Sequence, residues 1–194
     1  MKQVARERKF TDDELFKATK LLLIGDGYES FTFSKLASMM EVSRGSIYKY
    51  YENKDELISE FLMYEMNRFL QDFSVLDKSG DFQTQFSLVI DFIFRHSEIH
   101  QILEIIHQIP KQSSNRVVSN QTQLNTYYIN MYKQFQGLIE QGKKEQVIKS
   151  HLSDAIILGM IFQTIAIPNH FGIPTDEWVD SIKEILSDGM FLRD

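Results

Sequence analysis

Apolar residues in this chain recur at steps of three and four, a period that predicts helices throughout. Leu15, Ala18, Leu22 and Leu23 mark a first helix; the run Thr11-Asp12-Asp13-Glu14 is a capping box that opens it near Asp12, and Gly25 and Gly27 are expected to close it. Phe33, Leu36, Ala37 and Met40 share the inward face of a short second helix capped by Thr32, with Ser34, Lys35 and Ser38 outside. The next segment differs. Between the anchors Val42 and Ile47 stand Ser43, Arg44, Gly45 and Ser46, and Tyr48, Lys49 and Tyr50 follow. These side chains are small, basic or phenolic, and they suit a negatively charged, hydrogen-bonding surface. A buried brace helix followed by a polar, basic helix with little bulk at its start is the pattern of a helix-turn-helix, whose second helix enters the DNA major groove N-terminus first.

Downstream the helical period continues. Asn53 caps a long amphipathic fourth helix carrying Leu57, Ile58, Phe61, Leu62, Met66, Phe69 and Phe73, which turn-forming residues 77–81 end. Phe82, Phe86, Val89, Ile90 and Ile93 mark a fifth helix, and Ser97 caps a sixth that stops before Pro110. Residues 111–120 are polar and read as a loop. A seventh helix runs from about Leu124 to near Gly142, an eighth from Leu152 to about Ala166, and a ninth from Asp176 to about Ser187. No strand alternation or repeat occurs. The expectation is an all-α chain of about nine helices: a three-helix N-terminal helix-turn-helix DNA-binding domain (residues 1–54) and a C-terminal helical domain (residues 55–194), to which the resemblance described next assigns ligand binding and dimerisation.

The run from Gly27 to Leu57 resembles the DNA-binding domain of the tetracycline-repressor (TetR) family of bacterial transcription regulators. Gly27-Tyr28, Thr32, Leu36-Ala37, Val42-Ser43, Gly45, Ile47-Tyr48, Tyr50-Tyr51, Lys54 and Leu57 carry the likeness, and Leu15, Ala18, Leu22 and Leu23 fit the family's first helix. Where the family has a small residue and then Gly in the turn, this chain has Met40-Glu41, so a left-handed Glu41 would cost about 1 kcal/mol relative to Gly. The resemblance implies that Lys54 and neighbouring amides hold a DNA phosphate. It also implies that the last two helices pair with those of a second subunit, and that the C-terminal domain binds a small effector.

Net charge, −6, argues against nucleic acid until its distribution is examined. Residues 1–54 carry ten Lys and Arg against eight Asp and Glu, whereas the remainder carries 11 against 19. The DNA-facing end is mildly basic and the body acidic. Lys2, Arg6, Arg8 and Lys9 form a basic arm that either adds phosphate or minor-groove contacts or is a solvated tail. That N-terminus lacks the apolar run of an export sequence, the chain has no cysteine, and its most apolar segment, Ala155 to Pro168, is too short to span a bilayer. A cytoplasmic protein without membrane partner is expected.

The DNA-binding candidates are Thr32, Ser43, Arg44, Gly45, Ser46, Tyr48, Lys49, Tyr50 and Lys54. Arg44 can bond guanine bidentately, Lys49 acts as a point charge, the hydroxyls can donate to phosphates, and Gly45 lets the backbone come near the duplex. Aromatic and Met side chains, Phe92, Tyr127, Tyr128, Met131, Tyr132 and Phe135, together with His100, are candidates to line an effector pocket, although such a stripe is more often plain core. The effector they suit is apolar or aromatic. Ala155, Gly159, Phe162, Gln163 and Ala166 on the eighth helix and Trp178, Ile182 and Ile185 on the ninth are candidates for a homodimer interface. His96, His100, Glu104 and His107 have metal-ligand spacing if one helix carries them all, but a Ser97 cap puts His96 outside it, and neither a metal nor a cofactor is expected. No phosphate loop, nucleophile elbow or HExxH is present, so the reading is a one-component transcriptional regulator, a repressor that binds a palindromic operator as a dimer. The alternative is a ligand-binding or protein-interaction domain whose helix-turn-helix no longer reads DNA.

Overall fold

A computed structural model describes residues 9–77, 79–110 and 113–190. Lys2, Arg6 and Arg8 of the basic arm lie outside the described residues. Within them the chain is all-α, with nine helices and no strand: α1 (Asp12–Ser30), α2 (Phe33–Met39), α3 (Arg44–Tyr48), α4 (Lys54–Ser74), α5 (Phe82–Arg95), α6 (Ser97–Glu104), α7 (Asn115–Lys144), α8 (Asp154–Gln163) and α9 (Thr175–Met190). Short 3-10 turns follow α6 and α8. None of these helices is long and apolar enough to cross a membrane. The chain forms two compact units, Met1–Met66 with Gln101–Asn125, and Asn67–His100 with Thr126–Asp194.

In the first unit α1 opens on the expected capping box, with the Glu14 amide donating to Thr11 Oγ1 at 3.2 Å and the Thr11 amide to Glu14 Oε2 at 2.7 Å. Gly25 does not stop the helix. Only Gly27, at φ 75°, leaves helical geometry; Gly25 keeps it at the modest propensity cost of a helix-interior glycine. Thr32 caps α2 by accepting from the Lys35 amide at 3.3 Å. The turn into α3 puts Glu41 at φ 55°, the left-handed conformation that glycine adopts without strain. Leu15, Leu36, Ile47, Leu57, Ile58, Phe61 and Leu62 are fully buried and form the unit's core.

The segment 111–120, expected as a loop, is helical from Asn115 onward. One of its polar residues faces inward. Asn120 is buried and its Nδ2 donates to Ser59 Oγ at 2.9 Å, so its polarity is satisfied inside the protein.

The second unit is built on aromatic packing. Phe73 and Phe135 approach to 4.4 Å between ring centroids, Phe69 and Phe92 to 5.0 Å, and Phe135 and Phe162 to 5.1 Å. α7 closes at Lys144, two residues past Gly142, where the Phe82 ring occupies the space a side chain would need; a Cβ there would stand 2.6 Å from the ring. α5 packs on α9, and Lys183 Nζ meets Asp91 Oδ1 at 2.6 Å. His96 ends α5 against the Phe92 ring at 4.4 Å, while His107 lies in the 3-10 turn after α6. The four residues of the imidazole and carboxylate stripe therefore share no single helix. Among the described residues no group of His, Asp and Glu is arranged to hold a metal ion.

Candidate nucleic-acid interface

α3 is five residues long, and its composition divides by face. Ile47 is wholly buried, whereas Arg44, Gly45, Tyr48 and Lys49 are exposed, and Tyr50 just beyond them is exposed as well. Tyr48 stands edge-on to Phe33 at 4.9 Å and Tyr50 edge-on to Phe10 at 5.9 Å, so each phenol is braced by a buried ring while over a third of its surface stays open. Arg44 Nη1 donates to Ser34 Oγ at 3.2 Å, which aims the guanidinium across the start of α2. At Gly45 the nearest atom to an added Cβ is Ser43 Oγ at 3.9 Å. A side chain at Gly45 would therefore meet ordinary van der Waals contact inside the chain.

Two of the sequence-predicted donors have inward tasks. Ser46 is only 7% exposed and its hydroxyl lies 2.9 Å from that of Ser43, so it shapes the opening turn of α3 rather than presenting a donor to solvent. Lys54 Nζ donates to the Tyr28 carbonyl at 2.8 Å and sits 4.1 Å over the Tyr28 ring. The ammonium thus satisfies a carbonyl next to the Gly27 break. Thr32 is exposed at the start of α2, with its hydroxyl engaged as the cap.

Behind this surface is a polar network that the sequence does not announce. Asp55, 8% exposed in the first turn of α4, accepts from Tyr28 OH at 2.7 Å and from Ser113 Oγ at 2.5 Å. Burial, then the hydrogen bond to Asp55, then the Asp55 and Glu29 charges raise the Tyr28 phenol well above its ordinary value. Arg116 donates to the Tyr50 carbonyl at 2.8 Å, pairs with Glu60 and lies 4.7 Å over the Tyr51 ring. The only sequence signal for Ser113, Arg116 and Asn120 is their spacing of three and four.

In the second unit, the pocket candidates Phe92, Met131 and Phe135 are buried core, Tyr127 and Tyr128 are half-buried, and Tyr132 is exposed at 43%; the His100 side chain lies outside the described residues. A cavity of about 200 Å3 lies beside them, lined by Phe73, Leu76, Gln85, Val89, Gln134 and Leu138, with Gly137 leaving open space in its wall. On α8, the turn after it and α9, Ala155, Gln163, Ala166 and Ile185 are exposed, Gly159, Phe162 and Trp178 half-buried, and Ile182 buried within the chain. Ile156 and Met160, not singled out from the pattern, add 67% and 58% exposed apolar side chains to the same helix.

Residues 15–61 match the family model described as bacterial regulatory proteins, tetR family. An uncharacterized HTH-type transcriptional regulator of Haemophilus influenzae is 33% identical over 69 residues, which cover 36% of this chain and 35% of that protein. The fatty acid metabolism regulator protein of Bacillus subtilis is 23% identical over 154 residues, 78% of each chain. The solved structure of the transcriptional regulator FadR from Bacillus subtilis in complex with stearoyl-CoA has the same fold, with TM-score 0.67, 21% identity, and coverage of 92% of this chain and 99% of that one.

Proposed function

We propose, on the premise that the chain belongs to the tetR family of bacterial transcriptional regulators, that it is a one-component cytoplasmic repressor. It binds a palindromic operator as a homodimer and is released by a small molecule. The observation that carries this reading is α3 itself: a short helix anchored by Ile47 that offers Arg44, Gly45, Tyr48, Lys49 and Tyr50 outward. The two cations and the phenols suit base edges and phosphates, and the bare Gly45 suits close approach.

One such helix touches too little DNA for useful selectivity, and a two-fold pair doubles the contacts. The exposed apolar side chains of α8 and α9, Ile156, Met160 and Ile185 with Ala155 and Ala166, support pairing with a second copy there. For the effector, the likeness to a fatty acid regulator and to a structure holding stearoyl-CoA supports an acyl-bearing ligand. The 200 Å3 cavity is below the roughly 300–1,000 Å3 usual for small-molecule sites, so an acyl chain requires it to widen. A ligand changes DNA affinity only by its differential affinity for two conformers; a 100-fold release requires about 2.7 kcal/mol of coupling.

The test is selection of genomic fragments by the purified full chain, with sequencing of what is retained. Wild type should enrich a few fragments sharing an inverted repeat, and Arg44→Ala or Lys49→Ala should lose that enrichment. Equal recovery by wild type and both variants would overturn the reading. Stearoyl-CoA should elute the retained fragments at micromolar concentration, whereas choline should not.

A further inference from the structure

Ser113, Arg116 and Asn120 lie about 60 residues beyond α3 and α4 in sequence, yet all three are fastened to them. Ser113 Oγ donates to Asp55, Asn120 Nδ2 to Ser59 Oγ, and Ser59 Oγ in turn to the Glu56 carbonyl at 3.1 Å. Of the three, Arg116 reaches furthest. Its Nη1 donates to the Tyr50 carbonyl at 2.8 Å and stands 3.9 Å from Glu56 Oε2, its Nη2 pairs with Glu60, and its guanidinium plane lies over the Tyr51 ring. The Tyr50 and Tyr51 amides both donate to the Ile47 carbonyl, at 2.9 and 3.2 Å, and so close the last turn of the DNA-reading segment. One side chain from the start of α7 thus holds that exit from outside.

We propose that Arg116 is a positioning residue for operator reading: by tying the Tyr50 carbonyl to Glu60 and stacking on Tyr51, it fixes the orientation of α3 and of the exposed Tyr48, Lys49 and Tyr50. The proposal rests on the DNA-binding reading above and adds a residue outside the helix-turn-helix to it. The chemistry requires arginine. A planar guanidinium can donate to a carbonyl and a carboxylate at once while its face lies on a phenol ring; an ammonium can pair with Glu60 but cannot hold the three together. Without the clamp α3 remains folded on Ile47, but the turn after it loses a partner that joins it to α7, and its side chains spread over several orientations. Phosphate attraction tolerates that spread, whereas bidentate base contacts do not.

The experiment compares wild type, Arg116→Ala, Arg116→Lys and Glu60→Gln as full chains. Each is titrated with the enriched operator duplex and with a scrambled duplex of equal length and composition at one salt concentration. Circular dichroism and sedimentation velocity are run on the same samples. Arg116→Ala should weaken operator binding about 10- to 100-fold, the scale of a lost charge-assisted hydrogen bond, and change scrambled-duplex binding by less than about threefold. Arg116→Lys should recover part of the difference, and Glu60→Gln, which loosens the clamp from its other end, should show a smaller loss of selectivity. Unchanged operator affinity in Arg116→Ala, or an equal loss on both duplexes with lowered helicity, would overturn the proposal. Should Arg116→Ala not fold, an unchanged selectivity ratio in Glu60→Gln overturns it instead. A wild type with no preference between the duplexes refutes DNA reading itself, and that outcome is distinguished by the wild-type titrations alone.

Discussion

Both units bury an apolar core and both carry ion pairs, Lys183 with Asp91 among them in the second, but their other long-range contacts differ. In the first, hydrogen bonds and ion pairs join residues remote in sequence: Tyr28 and Ser113 on Asp55, Lys20 on Glu65, Tyr64 on Asp13, Arg116 on Tyr50 and Glu60, and Asn120 on Ser59. In the second, rings pack on rings, from Phe69 and Phe92 through Phe73 and Phe135 to Phe162 and Tyr132. Hydrogen bonds are directional and fix angles, whereas dispersion between rings tolerates sliding and repacking. Directional contacts suit a surface held in one orientation, and ring packing suits a core that can repack.

The comparison is sharpened by asking how each unit fails. Phe135→Ala in the aromatic unit should cost the most, about 3–5 kcal/mol by urea denaturation, because a side chain 1% exposed leaves a cavity among rings. Met131→Leu, which conserves volume, should cost less than about 1.5 kcal/mol. A similarly large loss there would mean that this core is as rigid as the other unit. In the hydrogen-bonded unit, Asp55→Ala should cost about 2–3 kcal/mol, since it leaves Tyr28 and Ser113 without their acceptor. Adding Tyr28→Phe and Ser113→Ala to it should restore part of that loss, an outcome measurable on the same urea curves.

A smaller effect of opposite sign is expected at the turn. Glu41→Gly should stabilise by up to about 1 kcal/mol, because φ 55° is strained for Glu and ordinary for Gly. The smallest effect near neutral pH concerns Tyr28. Its folded pKa is raised above the ordinary 10.0, so its contribution to stability is complete below pH 10 and is lost as pH rises toward the folded value. Ultraviolet titration should show one phenol ionising late, together with unfolding, and Tyr28→Phe should remove that late step.

Much of the first unit is legible from residue spacing. The Thr11 to Glu14 capping box, the Thr32 cap, the inward face of α2 and the outward chemistry of α3 are local, and local patterns survive reading one segment at a time. What was missed depends on distant partners. Residues 115–120 read as a loop because polar side chains usually face water; Arg116 and Asn120 instead face acceptors more than 50 residues away, which no window along the chain contains. Ser46 read as a donor to DNA for the complementary reason, since its partner is the neighbouring Ser43 hydroxyl. The end of α7 near Gly142 was legible, but only the packed structure places the Phe82 ring against that glycine. In the aromatic unit the residue types were readable, but core and pocket lining have the same composition and only packing distinguishes them.

Hydroxyl-radical footprinting of the enriched fragment tests the central claim most directly. The account predicts two protected stretches about one helical turn apart, related by the dyad of the inverted repeat and appearing together at one dimer per site. Arg44→Ala should abolish both. A single protected stretch saturating at one monomer, or protection spread evenly over any duplex offered, would contradict it.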